Sequence, residues 1–357
     1  MDKDKNRIRE NVYVIGAGFS AGLGYPITSK LLSSVWERLS VINRERLHKI
    51  ICFHFPKFDP NDEYSFPNIE RLLTLMKVNE DLFHASREVE GNFRKEEIEE
   101  IIEILLCEIS SWFHELYNDL SNIQWLDKFI ERVKNERAGI VSFNWDLVLD
   151  YQLFENDNLP VGYGLIGKFG DNDEPILLKP HGSLNWYERG SIENVKKHSR
   201  LNIFKDKNTD NSVDAFIYPR EITSKVGNRY TPLIVPPMYL KDFNKNVFRR
   251  LWQRTTDLLS TAKNIYILGY SLPADDLHTR FIFRCAFHNQ REGRLKGSGK
   301  RYPATGNSNI YIVNPSNDIK ARYQDIIDSD ANVVFIPKKV EDWILDDVVI
   351  NEKNIVG

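Results

Sequence analysis

The chain has 357 residues, which suits one large domain or two smaller ones. Its formal net charge of −3 creates no overall attraction to nucleic acid or to an anionic membrane, so such a contact would have to be local. Its three cysteines stand far apart, which argues against a disulfide framework and against a four-cysteine zinc site. No apolar run approaches the roughly 18 residues that span a bilayer, and the charged N-terminus is unlike a signal peptide. We therefore expect a cytoplasmic protein that makes no membrane contact.

Residues 11–28 contain the first strand signal and a glycine-rich turn. Residues 12–15 form an apolar, β-branched run that predicts a buried strand. Ala21 stands where the dinucleotide-binding fingerprint has its third glycine, a substitution that the fingerprint tolerates. Backbone N–H groups in such a turn can approach a pyrophosphate, so the stretch predicts a nucleotide site. The alternative is a glycine-rich turn without a ligand. The glycines of the turn are Gly16, Gly18, Gly22 and Gly24.

The pattern over residues 29–135 predicts helices, with Ser29 as the N-cap of the first. The clearest helical period lies between residues 96 and 116, and a further helix is predicted over residues 123–133. About a hundred residues of helix make too long a crossover for a minimal strand–helix–strand unit. We therefore predict a helical subdomain inserted after the first strand. Its aromatic stripe is expected to pack against the sheet, the alternative being the lining of a ligand pocket: Trp112, Phe113, Trp125 and Phe129.

Two further buried runs, residues 138–142 and 175–179, each deliver polar side chains just past a predicted strand end. Asn144 and Asp146 follow the first run, and His181 follows the second. Open α/β sheets bind ligands beyond the carboxyl ends of their strands, and a histidine there titrates near neutral pH, as a general base should. Structural roles stay open as alternatives: Asp146 could cap a helix, Asn144 could form an Asx-turn, and His181 could be structural.

The middle of the chain is less regular. Residues 187–230 are polar with little periodicity, which predicts a surface excursion. The prolines within residues 232–240 favour an extended segment that borders the predicted pocket. The apolar spacing over residues 247–262 predicts a helix before the next strand.

The last third of the chain supplies the remaining strands. Runs at residues 264–268 and 309–313 predict two buried strands, and residues 331–336 predict an edge strand before a short C-terminal helix. Asp275 or Asp276 can cap the helix that follows the first of these strands.

Residues 288–309 are rich in glycine, serine and basic residues, which predicts a solvated, mobile loop. A contact with nucleic acid or with a partner protein is the alternative.

Five predicted strands each end in small or polar residues, and in a doubly wound parallel sheet those ends meet at one edge. The sequence therefore predicts an α/β fold with a doubly wound, Rossmann-like parallel sheet and one ligand crevice. The residues that converge are Gly16, Ala17, Gly18, Ser20, Asn144, Asp146, His181, Gly182, Gly269, Ser271 and Asn314.

Taken in order, these motifs resemble those of the sirtuin superfamily of NAD-consuming enzymes. GAGFSAGLGYP resembles the first sirtuin loop, and PHGSL matches the histidine–glycine motif. FNWD resembles the Q-N-x-D segment with Phe143 in place of glutamine, and LGYSL resembles G-T-S-L with Tyr270 in place of threonine. IVNP resembles the strand and asparagine that hold the adenosine ribose. The resemblance covers residues 11–28, 138–186 and 264–316.

The chain departs from the deacetylase sirtuins in two respects. It has Ile27, Thr28 and Ser29 where those enzymes carry Asp-Phe-Arg, and it cannot build their four-cysteine zinc module. In place of that module it has the helical insertion, which resembles the sirtuin-like NAD hydrolases of bacterial anti-phage systems. The resemblance implies an NAD-binding domain formed by residues 1–28 and 136–357, with the inserted helical subdomain over residues 29–135.

The resemblance also implies an activity: NAD⁺ is the substrate, and hydrolysis gives nicotinamide and ADP-ribose without a metal. Asn144 would position the nicotinamide ribose and the attacking water, His181 would hydrogen-bond the ribose hydroxyls and act as base, and Asp146 would help to seat the nicotinamide. The first loop would hold the pyrophosphate through Gly16, Ala17, Gly18 and Ser20, and the adenosine side would be formed by Gly269, Ser271 and Asn314.

Two other functions fit the same motifs. One is an NAD-dependent protein deacylase, and the other is a sensor that binds NAD⁺ or ADP-ribose without turning it over. For the hydrolase, we expect a homo-oligomer that can join a defence partner such as a HerA-type ATPase or an Argonaute, because toxic NAD⁺ depletion has to be held in check.

Overall fold

The computed structural model describes residues 8–83, 93–154, 162–165, 174–187, 202–205, 213–217, 232–235, 246–273, 276–295, 301–327 and 331–346. The predictions that fall on residues 84–92, 236–240 and 296–300, and on Asp275, lie outside these ranges. The strands are β1 (Asn11–Ile15), β2 (Gly139–Ser142), β3 (Ile176–Leu178), β4 (Trp186–Tyr187), β5 (Asn202–Lys205), β6 (Val213–Ile217), β7 (Asn264–Leu268), β8 (Arg294–Leu295), β9 (Arg301–Tyr302), β10 (Asn309–Val313) and β11 (Asn332–Ile336).

Six parallel strands form the central sheet, in the order β11-β10-β7-β1-β2-β3. Within this sheet the chain passes first through β1, continues outward through β2 and β3, and then crosses to β7 on the other side of β1. This is the 3-2-1-4-5-6 order of doubly wound dinucleotide-binding sheets. The predicted Rossmann-like α/β fold is therefore confirmed, and the point where the winding changes direction lies at β1.

The central strands are apolar because helices cover both faces of a parallel sheet. Val12, Val14 and Ile267 are fully buried, and the apolar residues of the neighbouring strands β2, β3 and β10 are buried as well. One face also carries a row of stacked tyrosine rings across β1, β7 and β10. The ring centroids of Tyr13 and Tyr266 are 5.0 Å apart, and those of Tyr266 and Tyr311 are 4.9 Å apart.

An asparagine ladder crosses four strands at the amino-terminal edge of the sheet, opposite the strand ends that carry the predicted site. The side-chain amide of Asn264 donates to Asn11 Oδ1 at 2.8 Å, that of Asn309 donates to Asn264 Oδ1 at 2.9 Å, and that of Asn332 donates to Asn309 Oδ1 at 3.0 Å. All four residues stand in register at the start of their strands. The ladder therefore gives these polar side chains hydrogen-bond partners and also keeps the four strands in register.

The helices are α1 (Ala17–Ala21), α2 (Thr28–Trp36), α3 (Val41–His54), α4 (Ile69–Phe83), α5 (Lys95–Asp119), α6 (Gln124–Glu136), α7 (Val148–Leu153), α8 (Asn246–Thr261), α9 (Leu277–Glu292), α10 (Lys320–Gln324) and α11 (Val340–Leu345). None of them, within the ranges described, combines the length and apolar composition that a bilayer crossing requires. The predicted N-cap of α2 is wrong: the cap position is Ile27, which makes no side-chain cap bond, and Ser29 lies within the first turn.

Helices α2 to α5 lie between β1 and β2 in the sequence and pack on one another. Helix α6 packs on α11 and, through Phe129, on Tyr13 of the sheet. The aromatic stripe is divided in the same way: Phe129 packs against the sheet as expected, whereas Phe113 packs on Tyr25, which lies outside the sheet. Phe113 meets Tyr25 edge-on at 5.0 Å, and Phe129 meets Tyr13 edge-on at 5.3 Å. The division of the chain into two domains stays a prediction.

The polar excursion contributes strands of its own. β5 and β6 form an antiparallel sheet with β4, which follows directly on the histidine–glycine motif. The rest of the predicted excursion lies outside the described residues.

The prediction of a mobile loop over residues 288–309 is wrong for residues 288–292, 294–295 and 301–302, whereas residues 296–300 lie outside the described ranges. Helix α9 continues to Glu292, and β8 pairs with β9 in an antiparallel hairpin. Arg294 forms an ion pair with Asp257 and lies over the ring of Tyr302, so this basic residue of the segment packs within the fold. Gln290 is buried and donates to Leu259 O and to Ser308 Oγ, each at 2.7 Å.

Candidate active site at the carboxyl ends of the parallel strands

The predicted site residues lie beyond the carboxyl ends of β1, β2, β3, β7 and β10. Backbone bonds tie the segments together: Phe143 N donates to Ile15 O at 3.0 Å, and Gly269 N donates to Val313 O at 3.1 Å. Because β1 lies between β2 and β7, the loops that follow these three strands surround the point where doubly wound sheets bind ligands. The partly exposed members of the predicted set are Ala17, Gly18, Asn144, His181, Ser271 and Asn314.

Asn144 lies at the centre of a small hydrogen-bond network. Its Nδ2 donates to Gly16 O at 2.9 Å and to Ser20 Oγ at 2.8 Å, and Ser20 Oγ donates to Asp146 Oδ2 at 2.6 Å. A carboxylate only accepts, so the Ser20 hydroxyl donates to Asp146 and accepts from Asn144. Both amide hydrogens of Asn144 are thereby engaged, and its carbonyl oxygen is the atom left to contact a ligand.

Asp146 and Ser20 are both buried. Burial raises the pKa of the Asp146 carboxyl, and the charge of Lys179 opposes that rise. Asp146 Oδ1 also accepts from Val148 N at 3.2 Å, but the N-cap position of α7 is Leu147, so Asp146 is not the cap of that helix. The predicted roles of Ser20 at the pyrophosphate and Asp146 at the nicotinamide stay predictions, and in this structure the two side chains bond each other.

His181 lies in a sharp turn directly after β3. Gly182 takes φ = +82°, and a Cβ there would lie 2.3 Å from Leu233 O, so only glycine fits. Val235 N donates to His181 O at 2.8 Å, which places the segment from 232 to 235 beside the turn, as the sequence predicts. The histidine is thus held by its backbone, while its ring stays partly exposed.

Aromatic rings surround His181. Its ring centroid lies 5.0 Å from that of Phe143 and 5.6 Å from that of Trp252. Phe143 also stacks on Tyr270 at 4.8 Å, and the Tyr270 hydroxyl donates to Asp276 Oδ2 at 2.7 Å. Phe143 and Tyr270, which stand in place of the glutamine and the threonine of the motifs described above, therefore contact each other. Trp252 was not predicted at the site because it lies on α8, far from the strand ends in sequence.

The glycine-rich turn after β1 packs against the turn after β7. A Cβ on Gly16 would lie 2.5 Å from the Tyr270 Cα, and one on Gly18 would lie 2.8 Å from the Gly269 Cα. Gly16 N donates to Leu268 O at 3.1 Å, and Gly18 N donates to Gly269 O at 2.8 Å. These two amide groups are engaged within the protein, so the glycines here permit close backbone packing. Their contribution to a bound pyrophosphate stays a prediction.

The predicted adenosine side is formed by the turns after β7 and β10. Asn314 N donates to Ile336 O at 3.1 Å, and Asn314 Oδ1 accepts from Ser316 N at 3.0 Å in an Asx-turn. Arg322 Nη1 donates to Ser271 O at 3.3 Å, so a cationic side chain that the sequence reading did not single out lies at this end of the site.

Sequence reasoning also missed a buried ion pair beneath the site. Lys179 Nζ lies 2.9 Å from Asp150 Oδ2, and each side chain is 1% exposed. Its signal in the sequence is a lysine that ends the apolar run of β3.

In the part of the chain that the structure describes, no group of three or more histidine, cysteine or acidic side chains could hold a metal ion. Cys52, Cys107 and Cys285 form no disulfide and are partly exposed.

No protein-family model matches this chain, and no curated protein matches it. The chain is similar to solved structures of Sir2 enzymes. A Sir2 homolog in complex with NAD is 12% identical with a TM-score of 0.45, over 94% of this chain and 87% of that chain. A mutant Sir2 homologue in complex with 2′-O-acetyl ADP ribose is 12% identical with a TM-score of 0.44, over 94% of this chain and 89% of that chain. Similarity at this level carries no inference about activity.

Proposed function

We propose that the protein is an NAD⁺ glycohydrolase that cleaves the bond between nicotinamide and ribose to give nicotinamide and ADP-ribose. One observation carries the proposal: Asn144 and His181 both reach the partly exposed edge of the sheet, on the adjacent strand ends of β2 and β3. They do so beside the glycine-rich turn of β1, at the point where doubly wound sheets bind dinucleotides. The ordered motifs that resemble the sirtuins support the same substrate.

The proposed reaction needs no covalent bond between the protein and the substrate. Nicotinamide is a good leaving group, so the enzyme has to orient the ribose, stabilise its oxocarbenium-like state and admit one water. The carbonyl oxygen of Asn144 is available to accept a hydrogen bond from that water or from a ribose hydroxyl. The imidazole of His181 takes the proton as the water oxygen bonds to C1′, and the electrons of the broken C–N bond leave with nicotinamide.

Two other functions compete with hydrolysis. A deacylase would use the same NAD⁺ site but would transfer the acyl group of an acyl-lysine to ADP-ribose. A sensor would bind NAD⁺ or ADP-ribose and release it unchanged. The paired Asn144 and His181 favour turnover over sensing, because binding alone has no need of a general base.

The experiment incubates purified protein with NAD⁺ and follows nicotinamide release, with and without an acetylated peptide. We expect release that does not depend on the peptide. Nicotinamide that appears only with the peptide would establish the deacylase instead, and tight NAD⁺ binding without any release would establish the sensor.

We further propose that this activity serves anti-phage defence in the cytoplasm by depleting NAD⁺. In that role the enzyme would be restrained until infection, as a homo-oligomer and through a partner such as a HerA-type ATPase or an Argonaute. Expression in phage-challenged cells, with intracellular NAD⁺ measured over time, tests the role. NAD⁺ that stays constant throughout infection while the protein is present would contradict it.

A further inference from the structure

We propose that Lys179 is a positioning residue of the active site, which fixes the loop that carries Asn144 relative to the turn that carries His181. The proposal rests on the proposed hydrolase function for its kinetic part only. Lys179 is the last residue before the turn that leads to His181, and its side chain reaches across to the segment that follows β2.

The ammonium group makes more bonds than an ion pair needs. Nζ donates to Asp146 O at 2.5 Å and to Ser183 Oγ at 2.8 Å, besides its contact with Asp150 Oδ2. Trp145 O lies within 3.3 Å of the same nitrogen. One buried cation thus contacts main-chain oxygens that follow Asn144 directly in the chain, and a side chain that follows His181.

The carboxylate of Asp150, which pairs with Lys179, also accepts hydrogen bonds from neighbouring hydroxyl groups. Asp150 Oδ1 accepts from the hydroxyls of Tyr163 and Ser183, the latter at 3.2 Å, and Asn185 Nδ2 donates to the Tyr163 hydroxyl at 3.1 Å. Burial and the nearby Asp150 charge raise the pKa of Tyr163, so its hydroxyl keeps its proton and donates. Every group in this network has a partner, which is the condition under which a buried polar network makes a structure rigid.

A main-chain hydrogen bond links the same two loops. Besides the bonds from Lys179, Leu184 N donates to Trp145 O at 3.2 Å. Asn144 precedes one end of this link and His181 precedes the other, so the separation of the two proposed catalytic groups depends on it. Catalysis that works by orientation is sensitive to this separation, and a displacement of about 1 Å can cost a hundredfold in rate.

The test replaces both charges at once with the double variant Lys179→Met/Asp150→Asn. Removing one member alone would leave a buried, unpaired charge and could unfold the protein, whereas a neutral replacement of the pair is often tolerated. The matched control is Gln290→Leu, which breaks buried hydrogen bonds to Leu259 O and Ser308 Oγ outside the site. Melting temperature, kcat, KM for NAD⁺ and hydrogen exchange at the Leu184 amide are measured for all three proteins.

We expect the double variant to fold, to lose about a hundredfold in kcat with KM changed less than about threefold, and to exchange the Leu184 amide faster. The Gln290→Leu control should melt at a lower temperature and keep the wild-type kcat. A double variant with wild-type kcat and unchanged Leu184 exchange would overturn the proposal. If the wild-type protein does not turn over NAD⁺, the proposed function fails, and the Leu184 exchange still decides whether Lys179 holds the loops together.

Discussion

Asn144 has no freedom to turn its amide around, because its two hydrogens point at two acceptors. A flipped amide would place Oδ1 beside Gly16 O and lose the bonds that Nδ2 makes at 2.9 and 2.8 Å. Asp146 enforces the same orientation from one bond further away, through the Ser20 hydroxyl. The residue that we propose to orient the attacking water is therefore itself oriented by three groups of the fold.

The first prediction concerns the two proposed catalytic residues. Asn144→Ala and His181→Ala should each lower kcat about a hundredfold, since a lost polar group in a dry site costs on the order of 3 kcal/mol of transition-state stabilisation. NAD⁺ affinity should largely persist, because backbone bonds of Gly16 and Gly18 hold the glycine-rich turn without the Asn144 side chain. The double variant should be little worse than either single one if both act on one ribose.

Turnover, NAD⁺ affinity and melting temperature for the three variants check this prediction. A single variant that hydrolyses NAD⁺ at the wild-type rate would refute the catalytic role of that residue.

A second prediction compares two glycines that have the same φ angle. Gly182 and Gly306 both have φ = +82°, but a Cβ on Gly182 would overlap Leu233 O, and one on Gly306 would meet nothing within 4 Å. Gly306→Ala should cost about 1 kcal/mol of unfolding free energy for the left-handed conformation alone. Gly182→Ala should cost at least about 2 kcal/mol more, because the clash adds overpacking. Urea unfolding of both variants measures the difference, and equal stabilities would show that the turn of His181 can relax.

At the scale of elements, the sequence predicts both strands and helix starts closely, and the predicted cap Asp276 is the N-cap of α9. Residues 264–268 and 309–313 are strands with the predicted bounds, because their apolar, β-branched runs stop sharply at polar residues. Helix α3 was not singled out, since few of its side chains face the core: Leu47, Ile50 and Ile51 are the buried ones recorded for it. Polar strand ends could be located from sequence as well. The pairing of Lys179 with Asp150 could not, since partners 29 positions apart meet only once the sheet has formed.

The third prediction concerns helix α5 and its buried histidine. Burial lowers the pKa of His114 to about 4, from an ordinary value of 6.5. The folded state therefore keeps His114 neutral while the unfolded chain takes up a proton below pH 6.5. The stability that this neutral histidine contributes is fully present above pH 6.5 and is lost as the pH falls towards 4, with a total of about 3 kcal/mol.

His114→Gln removes the titrating group, so the unfolding free energy of the variant should decrease less than that of the wild type as the pH falls from 6.5 towards 4. Urea unfolding of the wild type and the variant at pH 7.5 and at pH 4.5 measures it. A variant that loses as much stability between these two pH values as the wild type would contradict the assignment to His114.

At the scale of the whole molecule, the exposed apolar residues indicate where an assembly would form. Helix α9 carries Leu277 and Phe281 one turn apart on the same side, 63% and 65% exposed. Large apolar side chains grouped on a surface are typical of protein interfaces. The expected homo-oligomer would bury this surface.

The fourth prediction follows from that surface. The wild-type protein should be an oligomer by light scattering, and Phe281→Glu should shift it towards the monomer, because a charge buried in an apolar interface is costly. Val333→Glu serves as the control, since Val333 is also exposed, at 40%, but lies on the edge strand. A wild-type monomer, or an oligomer that Phe281→Glu leaves intact, would contradict the assigned surface.

The asparagine ladder makes it possible to observe the order in which the strands of the sheet separate. Each rung joins one strand to the next, from Asn332 at the outer strand inward to Asn11 at the centre. A sheet that frays from its outer strand would release the amide protons of Asn332 first, then those of Asn309 and Asn264. A sheet that opens all at once would release all three together. The side-chain NH₂ resonances of these residues would therefore report, rung by rung, whether the half of the sheet beyond β1 can loosen while the strand ends of β1, β2 and β3 stay in place.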